Sequence, residues 1–541
     1  MIHRVWTLTR QDFNAIPVCI EVQCRQGIPS WDMVGLAGRA IKESRERVIS
    51  ALIENNRDVR PYKWTFNFSP ANISKDGSSY DLAIAISMLL GIGEFPEDIQ
   101  LDNCIILGEL SLEGRVQSIS NLMCFSQFLM NSNFDTIILP KKQLSQSVQF
   151  PGIRYIGIDN VNELCDPQFI QKNFTKNKSN SLNKHCINSN DTQNLDSNLA
   201  LTSKLSSNPY SNVKCDQNSE SNTNVKLTSD NSWIHPIIKH TDWCHYSSDP
   251  KLSFLLKLMV VTNRSLFLLG PPGCGKTHFA KLVHILKSPL NFEKWLECQV
   301  IHEMMSSKIL KRDEVPLQMP HPTISELGFL GGGRPFHPGV ISLAHNGVLI
   351  LDEALEFPSR FFEKIRSSME TKFIEYNRVG VNLKIPASAQ FVFTANPCPC
   401  GQYLYSDCFC TATQIKKYQT KISRALLERI DLHFQFPLMP PQNYERIDPD
   451  LNKLEFKSFL NEINEIKTLL EQSKVNSMPF TRKAEEIQIF NKILSEKSYR
   501  EKDKIKDLAQ LIAIIHQKVE VEAADIGLAM QFRKNYLDTL T

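Results

Sequence analysis

A chain of 541 residues exceeds what one hydrophobic core sustains, so two or three domains are expected. Its 61 Lys and Arg against 58 Asp and Glu leave a formal charge of +3, which permits nucleic-acid binding through a local basic lining without demanding it. No apolar stretch approaches the roughly 20 residues a bilayer demands, and the start Met1 to Trp6 lacks a signal-peptide layout, so a cytoplasmic protein with no membrane partner is expected.

Residues 1–168 alternate short β-rich runs (Val18 to Val22, Trp64 to Phe68, Thr136 to Leu139) with helical stretches such as Gly38 to Glu54. That pattern predicts an α/β or α+β domain. Residues 169–232 turn to Asn, Ser, Lys, Thr and Asp with hardly any apolar side chains, a composition that predicts a disordered linker.

Gly270 to Thr277 then reads GPPGCGKT (Gly270, Pro271, Pro272, Gly273, Cys274, Gly275, Lys276, Thr277), preceded by the apolar run from Ser265 and followed by the helix-like His278 to Val283. Glycines let backbone N–H groups approach phosphates, Lys276 reaches the β and γ oxygens, and the Thr277 hydroxyl ligates Mg²⁺. ATP with Mg²⁺ is the expected ligand. Gly331 to His337 (GGGRPFH) follows; its glycines suit a mobile loop whose Arg334 and Phe336 grip a nucleic-acid strand by charge and stacking.

Gly347 to Glu353 is an apolar run ending in two carboxylates, the way a buried parallel strand delivers acids to a sheet edge. Asp352 is read as a Mg²⁺ holder and Glu353 as the acid that polarises water. Glu370 to Lys384 reads as a hairpin with Asn377 and Arg378 near its tip, and Gln390 to Asn396 as a strand that ends in a phosphate-sensing amide or a simple turn former. Of 14 cysteines, ten scatter through apolar segments and four cluster as Cys398, Cys400, Cys408 and Cys410. Four thiolates so close can close a tetrahedral Zn²⁺ site; four free thiols and a redox pair stay open. In Ala425 to Leu432, Arg429 fits an arginine finger that serves a neighbouring subunit.

These residues carry a resemblance. Loop, acid pair, Asn396 and the LLERID run, with Pro338 to Glu353, Ala395 to Gly401, Asp32 to Ala37, Lys42 to Val48 and Gly108 to Gly114, resemble the ComM/YifB family of magnesium-chelatase-like AAA+ ATPases. The resemblance spans everything but the linker. It implies an α/β fold with a Lon-like (ribosomal S5 domain 2-like) N-terminal domain at 1–168, a P-loop parallel-sheet AAA+ module at 233–440 and a C-terminal helical lid at 441–541. It further implies a homo-hexamer that couples ATP hydrolysis to remodelling of single-stranded or branched DNA, by branch migration or helicase action in recombination and natural transformation. Hairpins at the Arg378 position project into the ring pore of such motors, where Arg378 and Arg334 would hold phosphates; an ordinary surface hairpin stays open. A magnesium-chelatase-type motor subunit is disfavoured by the N-terminal domain, and a nucleotide-gated scaffold by Glu353 and Arg429.

Three departures qualify the transfer. Lys75 to Leu82 resembles the nucleophile loop of Lon proteases with Ser79 in the serine position, but Met123, on the expected helix Gly114 to Met123, stands where the activating lysine belongs, so no peptidase is expected. Val315 to Thr323 keeps only His321 of a family His pair. In the lid, the nucleotide-sensing arginine is Arg500 or Lys504, and a further arginine is replaced by Gln510.

Overall fold

Strict alternation of apolar and polar residues in Tyr62–Ser69 buries Trp64, Phe66 and Phe68 and turns Lys63, Thr65 and Asn67 away, as one covered sheet face requires. The computed structural model describes residues 2–11, 14–35, 39–71, 79–96, 99, 101–119, 122–130, 132–144, 152–174, 246, 249–305, 310–333, 336–378, 381–403, 407–436, 449–472, 479–480 and 498–534. Two compact units result: residues 1–166 with 233–541, and residues 167–232. The second contributes one described helix, Pro167–Phe174; the expected linker lies, from residue 175, outside the described residues.

The N-terminal region builds a seven-stranded mixed sheet from β1 (Ile2–Gln11), β2 (Asn14–Gln26), β3 (Ser30–Val34), β4 (Tyr62–Ser69), β5 (Cys104–Ile106), β6 (Thr136–Pro140) and β7 (Arg154–Ile158), in the order β3-β4-β2-β1-β5-β6-β7. The β1/β2 and β2/β4 pairs are antiparallel and the other neighbours parallel. Helices α1 (Arg39–Glu54), α2 (Asp81–Gly91) and α3 (Leu122–Met130) accompany it. α2 is apolar nearly all round and buried from Asp81 to Leu90, as a helix enclosed on every side must be. One expectation fails: Gly114 to Met123 is not a helix. Gly114 (φ +83°) turns the chain between two short strands paired through Leu110 and Val116, and the helix starts only at Leu122.

The second sheet is fully parallel, with β8 (Leu266–Leu269), β9 (Leu317–Gln318), β10 (Val348–Leu351), β11 (Gln390–Ala395) and β12 (Leu432–Gln435) in the order β9-β10-β11-β8-β12. Central strands LFLL and VLIL are buried throughout because helices cover both faces. Alternation then sorts the residues. Leu266, Leu268, Val348, Ile350 and Val392 join one core, and Phe267, Leu269, Leu349, Leu351, Phe391 and Phe393 join the other.

The first core is closed by α4 (Pro250–Val261) and α5 (Lys276–Ile285), and also by α6 (Pro449–Gln472), α7 (Tyr499–Ile515) and α8 (Ala523–Arg533). Phe459, Leu508, Ile512 and Phe532 of the expected lid therefore share a core with the strand that feeds the phosphate loop. Each such buried side chain contributes about 1.5–3 kcal/mol. The second core is closed chiefly by Ser359–Thr371, whose Phe361 stacks on Phe329 with ring centroids 4.5 Å apart. Among the described residues no helix is long and apolar enough to cross a membrane.

Candidate nucleotide site

β8 ends at Leu269, and the loop that follows is held to the neighbouring strand by the Gly270 N–H donating to the Ala395 carbonyl (3.2 Å). Gly273 (φ +78°) and Gly275 (φ +92°) supply left-handed turns that swing the chain into α5, whose first residues are Lys276 and Thr277. The free N–H groups and dipole of that helix end favour an anion. The Lys276 ammonium donates to the carbonyls of Gly270 (2.8 Å) and Pro271 (2.7 Å) and to Asn396 Oδ1 (3.2 Å). Burial lowers its pKa from the ordinary lysine value.

The carboxylates arrive from β10, two strands from β8, with the strand of Asn396 between. Asp352 Oδ1 accepts from Thr277 Oγ1 (2.7 Å) and Thr394 Oγ1 (2.5 Å), and Thr394 Oγ1 accepts from the Glu353 N–H (3.0 Å). Glu353 itself is left-handed (φ +51°), a strain of about 1–3 kcal/mol that such sites retain where a side chain must be aimed. The structure thus brings Lys276, Thr277, Asp352, Glu353 and Asn396 to one sheet edge.

It takes Arg429, Arg500 and Lys504 elsewhere. Asp431 binds the Ser265 N–H and hydroxyl (both 2.8 Å) at the start of β8, the opposite end from the phosphate loop and roughly 13 Å away along four residues. Lys504 Nζ donates to Asp431 (2.8 Å) and to the Arg429 carbonyl. Burial alone would raise the Asp431 carboxyl; the Lys504 charge and hydrogen bond and the Ser265 bonds outweigh it and hold it below the ordinary value. Arg429 Nε bonds Glu370 (2.6 Å), with Arg500 3.6 Å from the same carboxylate, and Arg533 donates to the carbonyls of Ile430 and Asp431. Arg500 and Lys504, the two residues expected to sense the nucleotide, are thus held here by Glu370 and Asp431.

Beyond Asn396, the sulfurs of Cys398, Cys400, Cys408 and Cys410 all lie within 4.8 Å of one another. Cys398 to Cys400 is 3.3 Å, Cys398 to Cys408 3.7 Å and Cys400 to Cys408 3.6 Å. Thiolates about 2.3 Å from a tetrahedral zinc stand roughly 3.8 Å apart, so the set fits that ion. The Gln402 N–H, with the neighbouring thiols, holds Cys400 down to about 6.

Two family models match: "Magnesium chelatase, subunit ChlI" over residues 247–444 and "Subunit ChlI of Mg-chelatase" over residues 20–143. YifB of Escherichia coli is 28% identical over 430 residues, covering 79% of this chain and 74% of that protein. The competence protein ComM of Haemophilus influenzae is 26% identical over 439 residues, covering 81% and 76%. The chain belongs to the magnesium-chelatase-like ComM/YifB family. That family is of AAA+ ATPase type, which agrees with a parallel sheet carrying loop and acid pair on one edge.

The expected hairpin is present in this family member as Phe373–Arg378 paired with Val381–Pro386, Arg378 standing opposite Val381; Val379, Gly380 and Arg334 lie outside the described residues. The glycine loop adjoins it. Gly331–Gly332 pairs with His337–Pro338, and Phe336 packs on Tyr376 of the hairpin at 5.0 Å. Ser79 accepts the Gly108 N–H through its carbonyl, and Met123 is buried with Trp295, Leu296 and Val300. Sequence reasoning missed Thr394, although period-two alternation sets it on the face of Asn396. It also missed Tyr246, whose hydroxyl donates to the Gly275 carbonyl (3.0 Å) and stands 2.9 Å from His278 Nδ1, and for which no local signal exists.

Proposed function

We propose that this chain is a cytoplasmic ATP-hydrolysing motor that remodels DNA. The observation that carries the ATPase is the convergence of two bonded groups at one end of the sheet, Lys276 with Asn396 and Thr277 with Asp352, Thr394 and Glu353. Lys276 and the loop amides hold the β- and γ-phosphates, and Asn396 orients the lysine. Thr277 and Asp352 hold Mg²⁺, which neutralises phosphate charge when bound. Glu353 polarises the attacking water and takes its proton as the water oxygen bonds the γ-phosphorus and the bond to the β–γ bridging oxygen breaks, releasing ADP. Cys398, Cys400, Cys408 and Cys410 hold a structural zinc, since four protein sulfurs leave no position for water.

Arg429 and Arg500 stand away from their own loop, so any nucleotide they serve belongs to an adjacent copy; this supports a ring, and we propose a hexamer. DNA as substrate is supported by the paired hairpin and glycine loop, which carry Arg378 and Arg334, and by the relative named a competence protein. Branched DNA, as met in branch migration, is the form proposed. The test is steady-state ATP hydrolysis with and without single-stranded and four-way-junction DNA. Stimulation by the junction is expected; hydrolysis indifferent to every DNA, with no DNA retained, would overturn the substrate.

A further inference from the structure

The cysteine knuckle begins two residues after Asn396, whose amide oxygen receives the Lys276 ammonium. Its turn, Gly401 (φ +78°), lies against the phosphate loop: a Cβ placed there would meet Pro272 Cδ at 2.6 Å and Cγ at 3.1 Å. The knuckle is held by two bonds within itself and one from outside. The Gly401 N–H donates to the Cys398 carbonyl (3.0 Å), the Tyr403 N–H to Cys398 Sγ (3.4 Å), and Gln419 Nε2 to the Pro397 carbonyl (2.9 Å). Cys398 is buried beneath this arrangement.

We propose that the knuckle, loaded with zinc, is the brace of the phosphate loop, so that metal occupancy sets nucleotide affinity. The inference rests on the zinc reading above and adds a role to it. Metal binding at four sulfurs is folding free energy for the segment that carries them. Here that segment carries two contacts of the nucleotide loop at once: Gly401 sets how close Pro272 can stand, and Asn396 sets where the Lys276 ammonium points. Releasing the metal frees Pro397 to Gly401 and leaves both contacts without a fixed partner. Nucleotide binding then has to order the loop as well as fill it, and affinity falls.

The test uses the full chain, zinc determination by mass spectrometry and a fluorescent ATP analogue. About one zinc per chain is expected, chelation should weaken analogue binding about tenfold or more, and added zinc should restore it. Because chelation can also unfold the module, Gly401→Ala gives an independent arm. It keeps all four sulfurs, so it should retain zinc and near-ultraviolet dichroism yet bind the analogue about tenfold more weakly. Zinc present, with affinity unmoved by chelation and by Gly401→Ala, overturns the brace and leaves the zinc site standing. Protein that carries no zinc, takes none up and binds the analogue normally overturns both.

Discussion

Within the nucleotide site, residues that hold phosphate and the residue that reacts can be separated by single substitutions. Lys276→Ala removes the ammonium that Gly270, Pro271 and Asn396 position, and nucleotide binding should fall below detection. Glu353→Gln leaves those contacts and the Thr277–Asp352 pair intact, so ATP should be retained while turnover drops by about 100-fold or more. Equilibrium binding beside single-turnover hydrolysis checks both, and normal turnover in Glu353→Gln removes that residue from the reaction. Thr394→Val tests the group that sequence reasoning passed over. It keeps the shape but deletes the donor to Asp352 and the acceptor for the Glu353 N–H. Turnover should fall about tenfold and the Mg²⁺ requirement should rise, read from a Mg²⁺ titration.

Between elements, the contact with most consequence joins α3 to the helix Phe292–Glu303. Met123 and Cys124 bury against Trp295, Leu296 and Val300, and the Glu303 carboxylate receives the amides of Leu122, Met123 (3.2 Å) and Cys124 at the start of α3. Burial dominates and raises Glu303 from 4.5 to about 7. The folded carboxyl keeps its proton where the unfolded one has lost it. Stability is therefore fully present below pH 4.5 and declines as pH rises toward and through about 7, by on the order of 3 kcal/mol. A melting temperature that drops several degrees between pH 5 and 8, and is flat over that window in Glu303→Gln, is the expected result; equal slopes in the two proteins would contradict it. This contact was illegible in the sequence because its partners lie 180 residues apart. The same holds for the start of α3: the run from Gly114 reads as helix, yet Gly114 is the turn of a strand pair formed through Leu110.

For the whole molecule, the placement of Arg429 predicts complementation between copies. Arg429→Ala should bind ATP normally and hydrolyse it poorly, and mixing it with Lys276→Ala protein should restore activity above either alone, because each variant supplies the part the other lacks. No recovery across mixing ratios, with assembly shown by sedimentation, would falsify the shared site. Arg378→Ala should leave basal hydrolysis intact, weaken DNA binding and make its salt dependence shallower, since fewer phosphate contacts release counterions. The sequence by itself determined the phosphate loop, the acid pair, the amide at the strand end, the four clustered sulfurs and the hairpin. Each is a local pattern whose spacing follows from backbone geometry, whether strand alternation, helix start or tight turn. Only the tertiary structure decided where those patterns meet. It packed the helices between Pro449 and Arg533 into the core beneath the loop strand, tied Lys504 to Asp431 and Arg500 to Glu370, and set Gly401 against Pro272. Such contacts join residues that are distant in the chain and are selected by packing volume and charge pairing, which leave no periodic mark on either segment.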